Sequence, residues 1–213
     1  MRFTLPIAVP AALIASTVLA GPVSFSSGWN EQRLSLFNSN DYSFGSSLGI
    51  VSEDAVSLAW ARLPRSEWGS RSASWSWSVA QSVPATDLRR KGGDDRNISI
   101  YFVFLPEAVA AGLEGANIRQ LMGNRDVRIL QYVWGGNHGR GAILGSPYAP
   151  GQGVTVALRQ AGTGAHSESV DLARDFQAAF GGAPGALVGL AVSADSDDTD
   201  SAIQATVSGL TLR

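Results

Sequence analysis

Ser74-Trp75-Ser76-Trp77-Ser78-Val79 is the stretch that settles the class of fold. Side chains of an extended chain alternate between two faces, so Trp75, Trp77 and Val79 share one side and the serines the other. That is a half-buried strand, expected over Arg71–Val79. Working outward, Gly, Pro, Asn and Asp punctuate the chain into more such segments: Ala55–Arg62, Ile98–Leu105, Val127–Trp134, Val154–Arg159, Leu187–Ser193 and Ala202–Leu212. Val23–Phe25, Tyr42–Phe44 and Leu48–Ser52 carry the pattern more weakly. Many short strands between turn residues predict an all-β, single-domain β-sandwich of the jelly-roll kind.

Two segments break the β rhythm. Leu172, Phe176, Ala179 and Phe180 form one helical stripe, with Asp171 as N-cap, Gly181-Gly182 as a stop and Pro184 just beyond, which predicts a short helix near 171–180. Pro106–Met122 reads as a loosely helical insertion, because Pro106 suits a helix start while Gly112, Gly115 and Gly123 weaken its continuation.

The first residues read as an export signal. Arg2 is a positive start, Leu5 to Leu19 an apolar run, and Val18-Leu19-Ala20 a signal-peptidase pattern. The run is short of the ~20 residues a membrane span needs. Residues 1–20 are thus expected to be cleaved, leaving a domain over 21–213 in the periplasm or outside a bacterial cell, with no membrane span. The chain has no cysteine, so thiol nucleophiles, thiolate zinc sites and disulfides are excluded and stability must come from the core. With a net charge of −2 and no basic run beyond Arg89-Arg90-Lys91, the footprint of nucleic-acid binding is missing. A monomer is expected.

Lys91 stands alone among fifteen arginines, in front of Gly92-Gly93-Asp94-Asp95 and between two strand segments. An ammonium is a compact point charge and not equivalent to a guanidinium fork, so Lys91, Asp94 and Asp95 are candidate ligand contacts. Being adjacent, the two aspartates point to opposite faces if extended, which argues against a catalytic pair between them. Asp195-Ser196-Asp197-Asp198-Thr199-Asp200 places four carboxylates in six residues. Such a loop suits a hard cation such as Ca²⁺, with Asp195 and Asp197 as candidate ligands, or else is a solvated turn. The EF-hand pattern fails, since Asp200 takes its glycine position and Thr206 its closing glutamate.

Trp75 with Trp77, and Tyr132 with Trp134, share strand faces at ~6.6 Å spacing. Flat rings at that spacing either stack on sugars or fill the core, and the need of a sandwich's inward faces for large apolar residues favours the core for both pairs. Tyr132 or Trp134 is a candidate stacking platform. His138 and Arg140, in the loop Gly135-Gly136-Asn137-His138-Gly139-Arg140-Gly141, are candidates to line a ligand mouth. Gly45-Ser46-Ser47-Leu48-Gly49 matches a hydrolase nucleophile elbow only formally, because no helix pattern comes after it. His138 and His166 lack any zinc-binding spacing.

Several short motifs occur together in order. Trp75-x-Trp77-x-Val79, Lys91-x-Gly93-Asp94-Asp95 and Ile100-Tyr101-Phe102-Val103-Phe104 come first. Tyr132-Val133-Trp134, Ser146-Pro147-Tyr148, Asp175-Phe176 to Phe180-Gly181 and Asp195-x-Asp197-Asp198-Thr199 come after them. This ordered set resembles the exported bacterial family known as domain of unknown function 3047. The resemblance implies a sandwich similar to galactose-binding-like carbohydrate modules and no activity. The chain departs from it in the serines beside the tryptophans and in the Pro106–Met122 insertion.

The residues point to a module that binds a saccharide or cell-envelope glycan. One alternative is a polysaccharide hydrolase or lyase using Asp94 or Asp95 with Asp195 or Asp197, which requires the two loops to converge with carboxyl oxygens ~5–9.5 Å apart. A structural envelope protein is the other, favoured if every aromatic is buried.

Overall fold

The computed structural model describes residues 21–35 and 38–213; the expected signal segment, 1–20, lies outside them. Its thirteen strands, numbered in chain order, form two sheets around a shared core. The six-stranded sheet runs β11 (Gly164–Asp171), β6 (Ser72–Gln81), β13 (Ala202–Leu212), β4 (Ser47–Glu53), β3 (Asp41–Phe44), with β1 (Gly21–Pro22) also pairing with β13. The seven-stranded sheet runs β2 (Trp29–Arg33), β5 (Ser57–Arg62), β12 (Ala186–Asp195), β7 (Arg96–Leu105), β8 (Arg128–Gly135), β10 (Gly153–Arg159), β9 (Ile143–Gly145). Pairing is antiparallel except for β8 with β10, which is parallel. This is the all-β sandwich that the alternating pattern predicts.

Trp75, Trp77 and Val79 of β6 point into the core, as their alternation with serine requires, and meet Ile98, Ile100, Phe102, Leu130, Tyr132 and Trp134 from the facing sheet. The rings interlock, Trp75–Trp77 at 5.4 Å and Phe102–Tyr132 at 5.6 Å edge-on and Trp77–Trp134 tilted at 5.8 Å. Neither the Trp75 nor the Trp77 indole N–H has a hydrogen-bond partner among the described residues. Leaving a donor unmade costs ~1–3 kcal/mol, which burial of so large a ring offsets.

The helix near 171–180 is α3, Leu172–Phe180, with the Asp171 carboxylate accepting from Arg174 N at 2.9 Å. The insertion becomes two short helices, α1 (Glu107–Gly112) and α2 (Ile118–Met122). Together with Trp68 they cover part of the outer face of the seven-stranded sheet, around Leu105, Val127, Ala186 and Val188. Three strands escape the sequence pattern. β2 is an edge with little apolar content, β9 is an edge of only three residues, and β11 buries the polar Glu168. Val23–Phe25 is not a strand; the pairing with β13 falls instead on Gly21–Pro22.

Glu168 is the buried ion of β11. Arg140 Nη2 and Arg159 Nε bind its two oxygens at 2.7 and 2.8 Å. Burial alone would raise its pKa, but the two guanidiniums outweigh burial and hold it below the ordinary value. A depressed folded pKa stabilises above the unfolded value and is lost on acidification. The urea midpoint is therefore expected to fall as pH drops below ~5. Glu168→Gln should flatten that limb in a pH series of urea titrations.

Candidate functional site

The outer face of the seven-stranded sheet carries polar groups because each central strand alternates. In Ile98–Phe102 the even positions enter the core while Ser99 and Tyr101 face outward, and Gln131 and Thr155 do the same between apolar neighbours. Cross-strand register then aligns Trp60, Ala191, Tyr101, Gln131 and Thr155 in one row. Ser193 pairs with Ser99 in the next row, and Asp195 with Arg96 beyond it.

Arg96 organises this face. Its Nη1 pairs with Asp94 Oδ2 at 2.9 Å and Asp195 Oδ2 at 2.8 Å. Its Nε donates to Ser99 Oγ at 3.1 Å and its Nη2 to the Tyr101 hydroxyl at 3.2 Å. Gln131 Nε2 donates to the same two oxygens at 3.0 Å, and Thr155 Oγ1 to Gln131 Oε1 at 3.1 Å. Burial works against the guanidinium charge, but Tyr101, Asp195 and Asp94 outweigh it and raise the pKa further. Gly135 leaves room for this arginine, because a β-carbon there would stand 2.7 Å from Arg96 Cβ.

The two acidic segments do converge. Asp94 turns toward Arg96 and accepts from the Tyr148 hydroxyl on Oδ1 at 2.8 Å. Asp95, fully buried, turns to the Asp195–Asp200 loop instead and accepts from Asp198 N at 3.2 Å, Thr199 N at 2.8 Å and the Thr199 hydroxyl. Asp198 Oδ2 in turn accepts from Asp94 N at 3.3 Å. The loop is thus a hydrogen-bonded turn docked on β7, further pinned by Ser196 Oγ against Ser52 Oγ at 2.8 Å. Burial pushes the Asp195 carboxyl up to about 8 against the pull of Arg96, with the Asp197 and Asp95 carboxylates adding to the rise.

Lys91 is exposed and lies over the Tyr148 ring, its Nζ 5.3 Å from the centroid, and makes no ion pair among the described residues. Burial, joined by Asp94, pushes the Tyr148 phenol up to about 12. Tyr132 and Trp134 must be corrected: both are buried in the core, Tyr132 donating to Asp175 Oδ2 at 2.8 Å, and offer no stacking face. His138 and Arg140 are also placed elsewhere than a ligand mouth, His138 against Asp87 at 3.0 Å and Arg140 on Glu168. Each is held by a carboxylate other than Asp94, Asp95 and Asp195.

Four residues that matter here were not among the site candidates read from the sequence: Trp60, Arg96, Tyr101 and Tyr148, of which Tyr101 and Tyr148 entered only within the family motifs. Trp60 and Tyr101, both half-buried, border an apolar cavity of about 100 Å³ that Leu58, Ile118, Met122 and Ile129 help to line. The cavity therefore adjoins the polar row through Tyr101. The signal for Trp60 and Tyr101 was a polar-tipped ring inside an otherwise apolar strand; for Arg96 it was a charge at the strand's first residue.

The family model described as protein of unknown function (DUF3047) matches residues 27–211. This chain belongs to the DUF3047 family. The outer face described above lies within the DUF3047 match, as do both acidic segments. No curated protein matches the sequence. Among solved structures the chain is similar to the xyloglucanase domain of NopAA, a type three effector from Sinorhizobium fredii in complex with cellobiose. Identity is 6 %, coverage 92 % of this chain and 98 % of that one, and the TM-score 0.45.

Proposed function

We propose that this DUF3047 chain is an exported module that binds a saccharide or cell-envelope glycan on the outer face of its seven-stranded sheet. The observation that supports it is the face's two-sided chemistry. Trp60 and Tyr101 supply ring edges beside an apolar cavity, and the buried Gln131 and Thr155 continue the same row, tied to Arg96 through the Tyr101 hydroxyl. A pyranose has the same division, an apolar ring face and a hydroxyl rim, and binding sites generally pair apolar walls with a few placed polar groups. Asp94, Tyr148 and Lys91 flank the polar end.

The hydrolase or lyase reading fares worse on geometry. Asp94 and Asp195 hold the same arginine nitrogen, so their oxygens lie within ~6 Å, but the guanidinium fills the space a sugar or water would need. Asp95 and Asp197 place oxygens within 4.8 Å of each other, and Asp95 is spent on the turn. A purely structural role would leave no aromatic at the surface, whereas Trp60, Tyr101 and Tyr148 remain there.

Isothermal titration against a panel of neutral and acidic oligosaccharides tests the proposal. At least one glycan is expected to bind, and Trp60→Ala to weaken it by ~10-fold or more, the scale of a lost aromatic anchor. Silence across the panel, or a Trp60→Ala chain that binds as well as the parent, would overturn it.

A further inference from the structure

We infer that the apolar cavity under α2 receives the short acyl chain of an acylated sugar, with the Tyr101 hydroxyl donating to the acyl carbonyl. This rests on the saccharide reading of the same face and names a substituent the ligand carries. The cavity follows from the sequence of β12. Leu190 enters the core, so Gly189 and Ala191 face outward, between Arg62 and Trp60 of β5 and Val103 and Tyr101 of β7. Two positions with at most one side-chain carbon leave a trough along the middle of the sheet. Helix α2 roofs it with Ile118, Leu121 and Met122, leaving a cavity of about 100 Å³ walled by carbon alone. The roof is fixed: Arg62 Nε donates to Ala116 O at 2.8 Å, and the Asn117 and Gln120 side chains each accept from the other's backbone N–H.

Two observations select the occupant. A space without polar walls gives water no partner, so its stable occupant is hydrocarbon; scaled from a ~150 Å³ cavity that holds benzene, it takes about four carbons. Tyr101 supplies the second. Its ring lines the cavity, and its oxygen accepts from Arg96 Nη2 at 3.2 Å and Gln131 Nε2 at 3.0 Å. With both acceptor positions taken, the phenol still carries one proton, and no acceptor for it occurs among the described residues. An unspent donor within a ring's width of a hydrocarbon-sized space fits a carbonyl on a short alkyl chain, which is an acyl group. A bare hydrocarbon would leave the phenol proton unused, and a fatty chain would overfill the space. Trp60, half-buried on the cavity wall, is placed for the sugar ring that carries the acyl group. Met122, 49 % exposed, marks where the cavity reaches the surface.

The test uses no sugar, so its failure is distinct from a failure of the glycan titrations. The chain has two methionines, Met1 and Met122, and Met122 lies on the cavity wall, so its carbon-13 methyl signal reports occupancy. Methyl acetate, propanoate, butanoate and octanoate, and xenon as a purely apolar probe, are titrated against that signal by NMR. Saturable shifts are expected, with affinity rising about four-fold per methylene up to butanoate and levelling off by octanoate. Tyr101→Phe keeps the ring and removes the donor, and should weaken butanoate binding about 2–10-fold while leaving xenon unchanged. Ala191→Leu fills the space and should abolish both; Ile118→Phe does so from the half-buried roof, and urea unfolding checks that each variant folds. No saturable shift with any ester overturns the inference, as does ester binding that Tyr101→Phe, or both filling variants, leave unaltered. Affinity that keeps rising through octanoate also overturns it, in favour of a lipid chain. Ester binding as expected beside a silent glycan panel keeps the acyl site and removes the sugar; the reverse pattern removes the acyl site alone.

Discussion

Replacing Arg96 by methionine is expected to cost about 3–5 kcal/mol at pH 7, the scale of breaking a buried ion pair from one side. The side chain is a node, not a single bridge. It binds two carboxylates whose side chains are even more buried than its own, the Ser99 hydroxyl and the Tyr101 phenol. Methionine fills much of the volume, so most of the loss comes from Asp94 left without its counter-charge and from Asp195, Ser99 and Tyr101 oxygens left without their donor. The companion Arg96→Met/Asp195→Asn chain should recover part of that loss, because it removes one of the acidic groups that have lost their donor. Arg96→Lys keeps the charge but cannot fork toward Asp94, Asp195, Ser99 and Tyr101 together, and should fall between the parent and Arg96→Met. Urea unfolding of the four chains measures all of this. A loss under about 1 kcal/mol for Arg96→Met would mean that water already screens the pair, as at surface bridges.

The same node shows what could be read from the sequence and what could not. Strand alternation is a local property, so Trp75 and Trp77 announced an inward face, and Asp171 with Gly181 announced the ends of α3. The approach of Lys91–Asp95 to Asp195–Asp200 depends on β7 and β12 being neighbours, with Asp195 opposite Arg96. No local pattern encodes that pairing. Attention to charge alone favoured Lys91, the rare cation, which rests on Tyr148 at the surface. The cation that matters is Arg96, two residues before the expected strand and hidden among fifteen arginines. Buried polar rows are hard to see for a related reason: Ser99, Gln131 and Thr155 each look like an isolated polar residue until register aligns them.

Trp134→Ala is expected to lower stability by about 3–5 kcal/mol and to leave glycan affinity unchanged when measured below the unfolding transition. Tyr132 and Trp134 share a strand face at a spacing that would suit a sugar, so the direction of that face decides between platform and core. In the folded chain it points inward, and Trp134 packs against Trp77 at 5.8 Å and His166 at 5.0 Å. An indole buries ~200 Å², which at ~25 cal/mol per Å² is about 5 kcal/mol of transfer energy before any cavity term. No sugar can collect that energy from a ring already enclosed. Trp60→Ala should behave in the opposite sense, with a smaller loss of stability because the ring is half in water, and a larger loss of affinity. Paired urea and calorimetric titrations of the two variants separate the faces. Were Trp134→Ala to abolish glycan binding at full stability, the ligand would have to enter between the sheets, and the outer face would lose its role.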